Sequence, residues 1–125
     1  MRRIVVATDR SERADRAAAW AMDMAERYEA ELVVVQVVAE ATAEVEAELA
    51  RFAGEAGARA RVVADSDPSG AIVRTAVEEK ADVLVVGNVG MSGRREFLLG
   101  NVPNRVSHNA PCTVVIVDTS SGGRR

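Results

Sequence analysis

Aromatic side chains are almost absent: the 125 residues include two Phe, one Trp and one Tyr. With 48% hydrophobic residues, the core must therefore be aliphatic, built from Val, Ile, Leu and Ala, and a chain of this size buries roughly two-thirds of its unfolded surface. One cysteine and one histidine, Cys112 and His108, exclude an internal disulfide. They also argue against a Cys/His metal centre, which draws on three or four such residues. No basic excess is present. The net charge is −3 with both signs interspersed, whereas a general grip on nucleic-acid phosphates needs a basic face. No apolar run approaches the ~20 residues that span a bilayer. Residues 4–7 end at Thr8-Asp9, too early for a secretory signal. The expectation is a soluble, cytoplasmic protein that binds neither nucleic acid nor membrane.

Five short aliphatic runs are present, at 4–7, 32–38, 60–64, 83–86 and 114–117. They are β-branched and alternate little, as expected of strands covered on both faces. Between them the apolar spacing is helical. Ala14, Ala17, Ala18, Ala21, Met24, Ala25 and Tyr28 form one stripe, and Val45, Leu49, Phe52 and Ala56 a second. Ile72, Val73, Ala76 and Val77 form a third, and Val102 and Val106 mark a fourth. Ser11 and Asp67-Pro68 read as helix starts, and Asn101 precedes the fourth helix. Alternating strands and helices predict right-handed βαβ crossovers, hence an α/β fold with a parallel sheet between two helical layers. The expected organisation is one domain over 1–118 and a flexible tail over 119–125.

Ligands of such sheets sit beyond the carboxyl ends of the strands. The fourth run is followed by Gly87-Asn88-Val89-Gly90, continuing to Gly93, Arg94, Arg95, Gly100 and Asn101. Glycines let a ligand approach the main chain, and the loop ends where a helix offers free N–H groups to an anion. A phosphate cradle fits these parts. So does a tight structural turn with solvated arginines, and residue chemistry alone leaves both open. The sequence lacks a Gly-x-x-x-x-Gly-Lys-Ser/Thr loop, and its only lysine is Lys80; no Gly-x-Gly-x-x-Gly follows the first strand.

The spacing of Gly87, Gly90 and Gly100 resembles the glycine signature of the universal stress protein family, ATP-binding type. Residues 107–117 are similar to its last helix and strand, 4–12 to its first strand and turn, and Asp67-Pro68 also fits. The resemblance implies a three-layer sandwich of the adenine nucleotide alpha hydrolase-like, Rossmann-like kind, with a five-stranded parallel sheet in the order 3-2-1-4-5. It implies ATP, or ADP or AMP, with or without Mg²⁺. Asp9 would hold the ribose hydroxyls, Val37 would offer its backbone to adenine with Ala7 beside the base, and Thr8 would belong to the same site. Gly87, Gly90, Gly100 and Asn101 would hold the phosphates, with Arg94 and Val102 also in the binding site. Two positions depart from the pattern. Asn101 stands where the family has Ser or Thr, and Pro103, two residues on, lacks both hydroxyl and N–H; Asn104 could compensate. Arg10 replaces a small residue, and reads either as a reach toward a phosphate or a partner or as an exposed surface arginine.

The implied function is a stress-response sensor or regulatory module that homodimerises through Thr113–Val117 and acts on a further protein partner. A nucleotide-independent homodimeric interaction domain is the alternative. A slow ATP hydrolase is the third reading, but no base that could orient water is apparent. His108 reads as a helix-end or surface residue, Cys112 as an inert thiol, and Trp20 as packing on the first helix.

Overall fold

A computed structural model of the chain describes residues 2–87 and 110–118. Within them run β1 (Arg3–Ala7), α1 (Glu12–Tyr28), β2 (Glu31–Val38), α2 (Ala43–Glu55), β3 (Arg59–Ala64), α3 (Pro68–Glu78), β4 (Val83–Gly87) and β5 (Thr113–Val117). All four strand pairings are parallel, and the sheet order is β3-β2-β1-β4-β5. The expected fold and strand order are those observed. The fourth helix, with Val102 and Val106, and the tail over 119–125 lie outside the described residues, as do Pro103, Asn104 and His108.

The sheet buries both faces, and strand periodicity divides the core in two. Ile4, Val6, Leu32, Val34, Val83 and Val85 face α1 and α2, meeting Ala18, Ala21, Ala25, Leu49 and Ala53. Val5, Ala7, Val33, Val35, Leu84 and Val86 face the other way, onto Ile72 and Ala76 of α3. The alanine stripe lets α1 lie close to the sheet, and its inward members Ala14, Ala17, Ala18, Ala21 and Ala25 are all buried. The ends of the predicted stripes need correction. Tyr28, Ala56 and Val77 are exposed, because each falls at or next to a helix end, where the stripe has passed the edge of the sheet. Trp20 lies on α1 as expected but on its outer side, 42% exposed.

Caps set the helix limits. Ser11 Oγ accepts the Ala14 N–H at 3.1 Å, and Thr42 Oγ1 accepts that of Val45 at 3.2 Å. Asp67 occupies the N-cap position of α3, yet its carboxylate makes no capping bond to the helix backbone; Oδ1 instead accepts from the Ser69 hydroxyl at 3.2 Å. All three helices among the described residues close with the same pair of bonds around a left-handed residue. For α1, Glu29 N–H donates to Glu26 O and Ala30 N–H to Ala25 O; for α2 and α3 the corresponding donors are Gly57 and Ala58, and Lys80 and Ala81. The left-handed residues are Glu29, Gly57 and Lys80, with φ of 54°, 71° and 56°. Only Gly57 is free of the Cβ penalty. A Cβ on Gly57 would meet no atom within 4 Å, so Gly57→Ala is expected to cost about 1 kcal/mol through the backbone alone. Lys80→Gly is expected to gain ~0.5 kcal/mol, a smaller change because glycine loses more entropy on folding. Urea denaturation of the two variants should show opposite signs.

The amino edge of the sheet carries a charge network. Glu31 bonds Arg3 and Arg59, Glu79 bonds Arg59 at 2.6 Å and Arg61 at 3.0 Å, and Arg61 also pairs with Glu78. Burial opposes ionisation of Glu79, but the hydrogen bonds from Arg59 and Arg61 outweigh it and hold the carboxyl below its ordinary value of 4.5. A depressed folded value means the stabilisation is present above the unfolded value and lost as pH falls through the folded one. Glu79→Gln should therefore lower stability at neutral pH by about 1–2 kcal/mol. It should also flatten the acid limb of a stability–pH curve below about pH 4.5, the two proteins converging as pH drops.

Candidate functional site

Strand order runs 3-2-1 on one side and 4-5 on the other, so it reverses between β1 and β4. Open parallel sheets bind ligands beyond the carboxyl ends of their strands at such a reversal. Val6 pairs with Val85, so Gly87, two residues on, ends β4 level with Thr8, which follows β1. Ala7 pairs with Val35, and Val37 extends the same row, packed against the α3-side core that contains Ala7. Ala7, Thr8, Asp9, Val37 and Gly87 thus share one end of the sheet. Gly90, Arg94, Gly100, Asn101 and Val102, expected to complete the site, lie outside the described residues.

The turn after β1 is tightly tied. Thr8 is buried; its N–H donates to Val35 O at 2.9 Å and its Oγ1 accepts the Arg10 N–H at 2.9 Å. Asp9 Oδ1 accepts the Ser11 N–H, also at 2.9 Å. The chain therefore turns through Arg10 at φ 67°, a left-handed conformation a side chain disfavours. Asp9 Oδ2 is buried and has no hydrogen-bond partner among the described residues. One oxygen of the carboxylate serves the turn, and the other is left for a donor that the described residues do not supply. Buried polar atoms are rarely left so. A sugar hydroxyl is a donor of the right kind, so Asp9 fits the ribose of a nucleotide.

Arg10 is not an exposed surface arginine, and its guanidinium is engaged among the described residues. Its guanidinium donates to both Asp15 oxygens, at 3.1 and 3.2 Å, and lies 3.8 Å from Glu48 and 3.8 Å from the centre of the Phe52 ring. It is mostly covered between α1 and α2, and the Asp15 hydrogen bond raises its already high pKa. The family-like spacing gave no hint of this contact, since Arg10 and Phe52 are far apart in the chain. Cys112 is half-buried against the α3-side core, and burial, with Asp82 assisting, raises its thiol pKa; an inert thiol is what that predicts. A shallow groove of about 560 Å³ between the carboxyl-terminal ends of α1 and α2, lined by Met22, Glu26, Leu32 and Gly57 among others, lies at the other end of the sheet from Asp9. Among the described residues no cluster of His, Cys, Asp and Glu is arranged to hold a metal ion, and no helix is long and apolar enough to cross a membrane.

A doubly wound parallel sheet with a carboxylate at its reversal point is an arrangement in which α/β proteins bind ligands. Comparison with known proteins narrows this. The model of the universal stress protein family matches residues 1–61 and 38–118. A universal stress protein of Methanocaldococcus jannaschii is 32% identical over 138 aligned positions, covering 93% of this chain and 81% of that protein. The solved structure of a universal stress protein in complex with cAMP superposes with a TM-score of 0.80 at 35% identity, covering 95% of this chain and 98% of the other. That of the universal stress protein from Archaeoglobus fulgidus in complex with dAMP gives 0.69 at 26% identity, covering 94% and 98%. The chain belongs to the universal stress protein family.

Proposed function

We propose that this protein is an adenine-nucleotide-binding regulatory module of the stress response, with ATP, ADP or AMP as its ligand. Adenine lies against Ala7, Thr8 and the Val37 backbone, the ribose hydroxyls donate to Asp9, and the phosphates run toward Gly87, Gly90, Arg94, Gly100, Asn101 and Val102. The observation that carries this reading is the buried Asp9 Oδ2 at the strand-order reversal, which has no partner among the described residues. Relatives solved with cAMP and dAMP support the adenine class. Asn101 supplies an amide donor to phosphate where the family pattern has a hydroxyl, and Pro103 removes one N–H. Both changes weaken the hold on the terminal phosphates, which favours the shorter nucleotides relative to ATP. Mg²⁺ would be held through the phosphates.

The organisation that goes with this function is one domain over 1–118 followed by a tail over 119–125, acting in the cytoplasm on a protein partner. Edge strand β5 is unpaired on one side among the described residues and exposes Ile116 to 45%. Exposed aliphatic edges invite pairing, and a two-fold contact through Thr113–Val117 would cover this one in a self-complementary way. The same edge supports the second reading, a dimerisation domain that works without nucleotide. Mass spectrometry of small molecules released by denaturing the gently purified protein separates the two. A stoichiometric adenine nucleotide is expected; a ligand-free protein that also ignores millimolar ATP, ADP and AMP would favour the second.

A further inference from the structure

We infer that Arg10 is a strut that holds the Asp9 carboxylate in its binding position by fastening the β1–α1 turn to both α1 and α2. The inference rests on the nucleotide reading of Asp9 and deepens it. Two costs are concentrated in this turn. Arg10 occupies a left-handed conformation, and Asp9 keeps one oxygen buried without a partner among the described residues. A flexible turn would relieve both by rotating the carboxylate toward water, so something must over-determine the conformation. The main-chain bonds bracket Asp9: the Arg10 N–H goes back to Thr8 Oγ1 and the Ser11 N–H to Asp9 Oδ1. The Arg10 side chain then leaves the turn as a two-bond fork on Asp15, in the first turn of α1, and lies over the Phe52 ring of α2 with Glu48 beside it.

Each contact constrains a different motion. The planar fork on Asp15 fixes the guanidinium's orientation as a lysine could not. The Phe52 face, in cation–π contact, blocks its swing outward. Because the guanidinium is occupied by α1 and α2, its contribution to ligand affinity runs through Asp9 rather than through direct contact with a phosphate. Glycine at this position would accept the left-handed turn without help, and arginine, which resists it, secures the turn from outside. The ribose grip is thereby tied to the position of α2.

Arg10→Gly separates the roles, since glycine accepts the positive φ but removes the strut. Two readouts on the full-length chain decide the matter. In the protein without nucleotide, exchange of the Ser11 amide hydrogen by NMR should be about tenfold faster in Arg10→Gly than in wild type, reporting loosening of its bond to Asp9. By titration calorimetry, Arg10→Gly should bind AMP about tenfold more weakly and Asp15→Asn about threefold, while 2′,3′-dideoxyadenosine monophosphate binds all three proteins alike. Arg10→Lys should fall between wild type and Arg10→Gly. In an Asp9→Ala background, Arg10→Gly should change AMP affinity no further. Unchanged Ser11 exchange in Arg10→Gly would overturn the strut, whether or not the wild type binds AMP. An equal loss of AMP and the dideoxy compound would overturn it too, by showing a direct role for Arg10. A wild type that fails to bind AMP while Ser11 exchange accelerates as expected would instead remove the nucleotide reading and leave the strut as a feature of the turn.

Discussion

Replacing Asp9 with alanine should remove about half or more of the nucleotide response while leaving the fold intact. A ligand bound only by the native state at 100 times its Kd adds about 2.7 kcal/mol. In a domain of this size that raises the melting temperature by roughly 10 °C or more. On the proposed reading the carboxylate would accept charge-assisted hydrogen bonds from the ribose, worth about 1.5–3 kcal/mol, so their loss would weaken binding by about 10–100-fold. At the same nucleotide concentration the hundredfold case leaves a shift of only a few degrees. The unliganded variant should melt close to wild type, because two opposing terms are removed together. The bond from the Ser11 N–H to Oδ1 is lost, but so is the buried Oδ2 that has no partner among the described residues. Thermal melts of wild type and Asp9→Ala, each with and without AMP and ATP, test both halves. A variant that keeps the full nucleotide shift would place the sugar elsewhere.

Ile72→Ala should be the most damaging single change on the α3 side of the sheet. Ile72 is fully buried, in a cluster with Val5, Val33, Val35, Leu84 and Val86, so truncation leaves a cavity in the middle of three strands. Large-to-small changes of this kind cost about 2–5 kcal/mol, a large fraction of the 5–15 kcal/mol that ordinary domains possess. Val77, five residues along the same helix and 53% exposed, provides the control, since Val77→Ala should alter stability by no more than about 0.5 kcal/mol. Equilibrium urea unfolding measures both. Similar losses at the two positions would contradict the face assigned to α3.

Much of this architecture is legible in the residues because the chain is simple. Aliphatic runs without alternation mark strands covered on both sides, and Ser11 announces α1 in the way its hydroxyl is then seen to work. Legibility fails where a property depends on partners distant in the chain. Arg3, Glu31, Arg59 and Glu79 each look like ordinary surface charges, and only the sheet order brings them into one network. Tyr28 and Val77 obey the helical period, yet the core does not extend to meet them. Asp67 has the right type and place for a cap, but the Ser69 hydroxyl engages its carboxylate instead.

The site divides in the same manner. The resemblance to universal stress proteins supplies Asp9 as a candidate, and the position after the first strand supplies its location. Neither says that one oxygen is spent on the turn and the other kept dry. That division needs three dimensions, because it arises from the path of the chain through Thr8, Arg10 and Ser11. Arg10 shows the point most sharply. Its departure from a small residue is visible in the sequence, whereas its fork on Asp15 and its seat on Phe52 are not.

The most direct test is a crystal structure of the protein grown with AMP. The account predicts a ribose hydroxyl within about 2.5–3.0 Å of Asp9 Oδ2, with Oδ1 still bound to the Ser11 N–H and adenine beside Ala7 and Val37. A nucleotide bound with its ribose turned to solvent, or Asp9 Oδ2 satisfied by a protein group in the ligand-bound crystal, would contradict it.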